Sequence, residues 1–416
     1  MALLIAISVI TFISQVSWIL PGVGFAYYMV FLAIALMLIP NSTEYRVHPL
    51  MLWFVLAALS SILFNNIPPF FRAKQRYVSF IIMLLLLSPL IQSVMLNYYR
   101  QQLFKVLSQT IIIMVAISFL GVVTGLGLMK NWTGIIGLFS HSMMLGPLAS
   151  IAMILAASKA LQGNHSKKQQ YYIYWFLTGA SLITAIAAGS RSALMGGIVG
   201  LLFMIFKINQ NRLSRFFKII IILVVLAFSS FPLWEQYTEK MMSKMESAER
   251  EGDLTSSRAA LWQTRIYEFD SSPFIGVGFA SMNIRLTGSY FNKDNGNIEP
   301  GSSWLAILSM MGLAGFIPLL LLLSYALFML YTEKKDLHEA ALHGALLLFF
   351  IAHMMAEGYL HAAGNGLFFY FWLLIGNTIQ LKTKEASHNF VNFRLISDFS
   401  TKHYSSSKPM QTLLKQ

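Results

Sequence analysis

Two arginines, two glutamates and a small set of histidines and aromatics are the residues here whose types and spacing could do chemistry. Arg191 stands in Ala188-Gly189-Ser190-Arg191-Ser192-Ala193, a junction with almost no loop between two apolar runs. A guanidinium beside the free amides of a helix start, with Ser192 as the expected cap, forms an anion site suited to phosphate or pyrophosphate. A snorkelling arginine that only anchors the hairpin is the plain alternative. Arg258 and Trp262 lie four apart in Ser256-Ser257-Arg258-Ala259-Ala260-Leu261-Trp262-Gln263-Thr264-Arg265. That stretch reads as a helix capped by Ser256 or Ser257, with a cation and an aromatic surface on one face, a pairing that fits a sugar phosphate or simple packing. Arg265 closes the stretch as a further substrate contact.

Glu299, just before the Pro300-Gly301 turn, and Glu357, near the end of an apolar run, are the acids placed to take a proton from a sugar hydroxyl. Glu299 could equally be a helix-start charge that favours the macrodipole. Glu357, costly at a membrane edge unless it pairs or works, could instead form a salt bridge to Arg191 or Arg258. His353 and Glu357 have helical spacing and His361 follows, but no further ligand with suitable spacing accompanies them, so no metal is expected. His141 opens another helix, as a substrate contact or a structural hydrogen-bonder. Gly276 and Gly278 mark a turn and not a nucleotide fingerprint, since no third glycine opens a following helix.

The elements that must position these residues are membrane helices. A hydrophobic fraction of 56%, a charged fraction of 11% and a mean hydropathy of +0.62 lie outside soluble averages. Apolar runs near 20 residues recur, enough to cross ~30 Å of hydrocarbon as helices. Alternating ten-residue segments of the kind that build a membrane barrel are absent. The expected fold is an all-α integral membrane protein with twelve spans, at about 2–20, 23–40, 49–64, 78–95, 106–126, 142–161, 171–189, 193–208, 216–232, 303–331, 339–357 and 366–381. The first span has neither a basic start nor a small-residue cleavage site, so it is expected to be retained. The chain then divides into spans one to nine (1–232), one long extracytoplasmic loop (233–302), spans ten to twelve (303–381) and a basic cytoplasmic tail (382–416). Residues 233–300 hold ten of the seventeen acidic residues and seven of the thirty basic ones.

Orientation follows from the basic residues. The net charge of +13 is scattered over short connections, an orientation signal and not a nucleic-acid stripe. Alternate short loops carry 12 Lys and Arg against 5, which places both termini in the cytoplasm and the long loop outside. Arg72, Lys74 and Arg76 run against this rule. Either an early helix is misplaced, or an outer basic cluster flanked by Phe70 and Phe71 attracts an anionic head group, making Arg72 and Arg76 substrate contacts. The absence of cysteine excludes disulfides and thiolate chemistry.

Four stretches together resemble the O-antigen ligase and polysaccharide polymerase superfamily of bacterial inner-membrane glycosyltransferases. They are 137–146 with His141; 189–193 with Arg191; Ser257 to Trp262 followed by Pro273-Phe274-Ile275-Gly276-Val277-Gly278; and 303–315 with Gly312 and Gly315. The resemblance implies metal-independent transfer, with no cofactor, at the outer face of the inner membrane. The donor would be a glycan on undecaprenyl pyrophosphate, and the acceptor a second glycan or lipid A core. Arg191 and Arg258 correspond to the arginines that hold the pyrophosphate. Family ligases typically carry a histidine where the long loop meets the next helix; here that place reads Gly301-Ser302-Ser303-Trp304. This departure turns the expectation toward a repeat-unit polymerase for O-antigen, capsule or exopolysaccharide, with Glu299 or Glu357 activating the acceptor. A ligase is the alternative. A flippase or transporter is the reading from another class; transporters usually show charges or broken helices at mid-membrane and paired repeats, whereas the notable charges here sit at one surface and the large outer loop has no partner.

Overall fold

The computed structural model describes residues 1–40, 45–126, 129–131, 134–162, 168–229, 256–287 and 296–380. The basic tail, the first part of the long polar segment (230–255) and residues 288–295 lie outside the described residues. The fold is helical: α1 (Ala2–Val16), α2 (Ala26–Leu38), α3 (Pro49–Leu63), α4 (Ala73–Leu87), α5 (Val94–Thr124), α6 (Ser142–Leu161), α7 (Lys168–Ala187), α8 (Arg191–Ile208), α9 (Leu213–Ser229), α10 (Ser256–Ser271), the short α11 (Ile284–Thr287), α12 (Ser303–Thr332), α13 (Leu337–His353) and α14 (Gly366–Gln380). Two ribbons of two-residue strands accompany them: β1 (Arg46–Val47) with β2 (Ile91–Gln92), and β3 (Lys130–Asn131) with β4 (Gly134–Ile135), both antiparallel. Among the described residues, four helices are long and apolar enough to cross a bilayer: α5, α6, α8 and α12.

The centre of the bundle is α14. Every residue from Gly366 to Gln380 is buried, as expected of a helix that is apolar all round. Glycine sets the closest helix contact. Gly196 and Gly200, one turn apart on α8, face α13, where a Cβ on Gly200 would stand 2.6 Å from the Ala345 carbonyl oxygen. Gly197 faces Ser150 and Met153 of α6. Small residues at this spacing let backbones approach without help from a hydrophobic effect, which is absent between helices in lipid.

Two helix starts differ from the sequence expectation. Helix α5 begins at Val94 and not near 106, because the Ser93 side chain accepts the Leu96 amide and caps it. Arg100, expected in a loop, is therefore inside the helix and fully buried. It donates to the carbonyls of Leu85, Leu86 and Ile91, which lie at and just beyond the end of α4. Carbonyls at a helix end suit a cation, so the charge is accommodated and drops out of the loop count. Helix α4 begins at Ala73 and not near 78, with Arg72 ahead of it in the left-handed region at φ 51°. Arg76 thus sits in a first helical turn. Helices α3 and α4 both form, and Lys74 joins Arg76 inside α4 and not in a loop.

Helix α12 is broken. At Gly312 the backbone takes φ 60° and ψ −162°, a region essentially reserved for glycine. The segment 273–278 fills the break: Val277 and Gly278 donate to the carbonyls of Ser309 and Met310, while Leu313 and Ala314 donate to those of Pro273 and Phe274. The polar groups freed by the break are satisfied by peptide, as buried irregular backbone at membrane depth requires. The run expected as one helix over 303–331 is interrupted here. Gly276 and Gly278 are the turn that makes the insertion; a Cβ on Gly276 would lie 2.3 Å from Met310 backbone.

Candidate functional site

All ten residues singled out from the sequence fall at one end of the bundle. Arg72 and Arg76 stand at the start of α4, His141 immediately before α6, Arg191 at the start of α8, Glu299 before the start of α12, and Glu357 and His361 after the end of α13. Arg258, Trp262 and Arg265 lie on α10, which packs on α12. Cross-contacts confirm the shared end. Asn297 receives a hydrogen bond from Arg76 at 3.2 Å, and the backbone of Ser303 bonds to Met354 and Glu357.

Arg258 is the hub. Its Nη2 donates to Glu357 Oε1 at 2.6 Å, and its Nη1 to the carbonyls of Gly301, at 3.0 Å, and Ala356. Trp262 Nε1 reaches the same Gly301 carbonyl at 3.3 Å, so the two share one helical face. Of the readings open for Glu357, an ion pair with Arg258 is the one the geometry contains. The side chains of this pair are 29% and 22% exposed, so it remains open to water and to exchange of partners.

Arg191 reaches the same level by a different route. Gly196 of α8 touches Phe349 of α13 and Gly200 touches Ala345, so the two helices run antiparallel. Five residues before Gly196, at ~1.5 Å each, Arg191 stands level with the end of α13, just ahead of Ala356 and Glu357. The helix start is at Ser190, whose side chain makes no cap hydrogen bond. Ser192 lies inside the first turn, so the expected Ser192 cap is not formed. Gly189, at φ 68°, makes the tight turn, and Gly146 of α6 lets Ser190 pack within van der Waals reach. Arg191 is half-buried, and among the described residues its side chain makes no ion pair or hydrogen bond. A guanidinium beside uncapped first-turn amides is a setting for an anion.

The remaining candidates divide by exposure. Glu299 is exposed, four residues before Ser303. His141 is exposed at the start of α6, where its carbonyl accepts the amides of Met144 and Leu145. The 137–140 stretch before it is tied to the end of α1: Ser17 donates to Leu138 O, and Trp18 Nε1 to Gly137 O at 2.8 Å. Arg72 is exposed and Arg76 half-buried. Arg265 and His361 are enclosed at 1% and 7% exposure. Arg265 Nη1 meets Glu268 Oε2 at 2.7 Å, and burial lowers the arginine pKa against the opposing pull of that carboxylate. Sequence reasoning missed Glu268. Its i+3 spacing from Arg265 was the available signal, hidden among many helix charges.

Sequence reasoning also missed Ser303. Its hydroxyl donates to Glu357 O at 2.7 Å and accepts the amides of Tyr359, at 3.0 Å, and Leu360, at 3.4 Å. Glu357 therefore sits on a segment clasped to the start of α12. Pro300 fills the space beside Gly358, where a Cβ would overlap it at 1.9 Å. The junction Gly301-Ser302-Ser303 is thus a structural clasp between the start of α12 and the segment that follows α13.

The structure thus defines a helical membrane protein with the ten candidate residues at one end of the bundle, two arginines on separate helices among them. Residues 176–320 match the family model described as O-Antigen ligase, which supports membership of the O-antigen ligase and polymerase superfamily. The matched segment holds Arg191, Arg258, Trp262, Arg265 and Glu299; Glu357, His361, His141 and the 72–76 cluster lie outside it. Comparison with curated proteins gives no match.

Proposed function

We propose that the protein is a polymerase of lipid-linked oligosaccharide repeat units. It transfers a glycan from undecaprenyl pyrophosphate to an acceptor glycan at the outer face of the inner membrane. The observation that carries this reading is the convergence of Arg258, Glu357 and the start of α8 with Arg191 at one end of the bundle. The donor diphosphate binds between the two guanidiniums. At a separation of ~4 Å and an effective dielectric near 20, each contributes about 4 kcal/mol toward the charge that grows on the leaving diphosphate.

The Arg258–Glu357 pair gives the step an order. Arriving diphosphate competes for Arg258, and Glu357 is released from its partner. An acceptor hydroxyl then attacks the anomeric carbon, the bond from that carbon to the diphosphate oxygen breaks, and undecaprenyl pyrophosphate leaves. The hydroxyl proton passes to a carboxylate, either Glu357 or the exposed Glu299.

Two other readings rest on specific observations. The description of the matched family favours a ligase that delivers polymer to lipid A core. The break at Gly312 favours a carrier for lipid-linked sugars, because broken helices mark transport sites. Against the carrier, peptide from 273–278 fills that break. A deletion strain complemented with wild type, Arg191→Ala or Arg258→Ala, its glycans run on a gel, separates the three. A polymerase leaves single repeats on lipid A core and no long polymer. A ligase leaves long polymer on the carrier lipid. A carrier leaves repeat units on the cytoplasmic face, and that outcome sinks the enzyme. Loss of one preorganised charge donor is expected to cost about 10²–10³ in transfer rate.

A further inference from the structure

The same end holds a second polar cluster that the donor reading leaves unused. Arg265 follows Arg258 by seven residues on α10, two turns and ~10 Å along one face. It pairs with Glu268 and its Nη1 also reaches Ser309 Oγ at 3.3 Å, yet among the described residues its Nε and Nη2 are buried with no partner. His361 Nδ1 is likewise buried and unpartnered. Three such atoms on two neighbouring residues call for polar atoms of water or ligand. Burial, reinforced by the positive charges of Arg265 and Arg76, depresses the His361 pKa to about 3, so the imidazole is neutral and offers a hydrogen bond without charge.

Partly exposed polar residues stand next to this cluster. Arg76 and Tyr28 are half-buried, Asn297 is exposed, and Arg76 donates to Asn297 Oδ1 at 3.2 Å. Tyr28 Oη borders Gly364, which follows His361 by three residues and whose carbonyl is held by Gln15 Nε2 at 2.7 Å. Guanidinium, phenol, amide and neutral imidazole together match a saccharide with an acidic group better than a bare phosphate, which needs no uncharged partners. The segment 297–301 links this group to the donor arginines. Asn297 meets Arg76 at one end and Gly301 meets Arg258 at the other, a reach of at most ~14 Å, with Glu299 midway.

We propose that Arg76, Tyr28, Asn297 and His361 form a second subsite, distinct from the diphosphate site, that takes the acceptor glycan through its sugar hydroxyls and an anionic group. The anionic group is either a sugar carboxylate or the phosphate of a second lipid-linked chain. This proposal rests on the transferase reading: Glu299, between the subsites, is placed to receive the acceptor proton.

The test is binding to the full chain in nanodiscs of zwitterionic lipid. The probes are undecaprenyl pyrophosphate, the repeat-unit oligosaccharide released from the carrier of a deletion strain, and that oligosaccharide still bearing its pyrophosphate. Arg76→Gln and Tyr28→Phe are expected to weaken oligosaccharide binding at least tenfold and five-fold, leaving undecaprenyl pyrophosphate within twofold; Arg191→Ala does the reverse. Sensitivity to Arg76→Gln with the phosphate-free oligosaccharide assigns the anion to an acidic sugar. Sensitivity only with the pyrophosphate-linked form assigns it to a second lipid-linked chain. The proposal falls if Arg76→Gln changes no probe, if Arg76→Gln and Arg191→Ala weaken the same probe equally, or if Arg76 affects only binding to phosphatidylglycerol vesicles. Failure of the transferase reading shows separately, as Arg76-dependent saccharide binding with no glycan transferred.

Discussion

Arg258 and Arg191 have the same side chain in different states. Arg258 is engaged by a carboxylate and two carbonyls, while Arg191 lies beside uncapped helix amides. The first is set to exchange partners and the second to receive one. A conservative change should separate these roles. Arg258→Lys keeps the charge but not the fork that meets Glu357 and two carbonyls at once, so transfer is expected to fall about 10-fold or more with the fold retained, measured as initial rate beside thermal unfolding. His361 makes a pH prediction. Its pKa is about 3 in the fold against 6.5 for an unperturbed histidine, so the unfolded chain binds the proton first as pH falls. Its contribution to stability is complete above about pH 6.5 and is lost toward pH 3, at up to ~1.4 kcal/mol per pH unit. Thermal unfolding of wild type from pH 7 to pH 4 is expected to show this slope, and His361→Gln to flatten it. An unchanged slope in the variant would assign the acid sensitivity elsewhere.

Among the elements, the broken α12 decides most. Gly312 and Gly276 close on each other's segments, and a Cβ on either would lie within 2.4 Å of backbone. Gly312→Ala is expected to expel the 273–278 insertion. Because the same polypeptide carries Arg258 and Trp262 one helix earlier, transfer should fall together with stability. Limited proteolysis of the 272–280 segment, faster in the variant, is the check; wild-type protection would mean the insertion tolerates the side chain. The sequence marked 273–278 correctly as a turn and the 256–265 stretch as a helix. It did not show that the turn enters another helix, because backbone hydrogen bonds between distant segments leave no mark on residue type. The early start of α5 was missed for a related reason. Arg100 looks like a loop charge until the three carbonyls at and just beyond the end of α4 are seen around it.

At the scale of the whole molecule, the candidate site residues gather at one end although they are scattered from Arg72 to His361 in the chain. Successive helices reverse direction, so every second connection returns to the same side. With no native cysteine, single cysteines at 72, 141 and 299 can be probed with a membrane-impermeant thiol reagent. All three are expected to label from outside intact cells, whereas cysteines at 46 and 334 label only after permeabilisation. Labelling of position 72 from the opposite side to 299 would contradict both the orientation and the shared end.

Composition and the recurrence of apolar runs by themselves determined a helical membrane protein, since backbone in hydrocarbon must bond within its own helix. Local spacing likewise determined that Arg258 and Trp262 share a face. Which arginine has a partner, that Ser303 clasps the Glu357 segment, and that Arg265 is sealed against Glu268 were decided only by tertiary structure. The first two depend on contacts between segments 99 and 54 residues apart, and the third on what buries the pair, and packing distance is not a property that any single stretch of sequence carries.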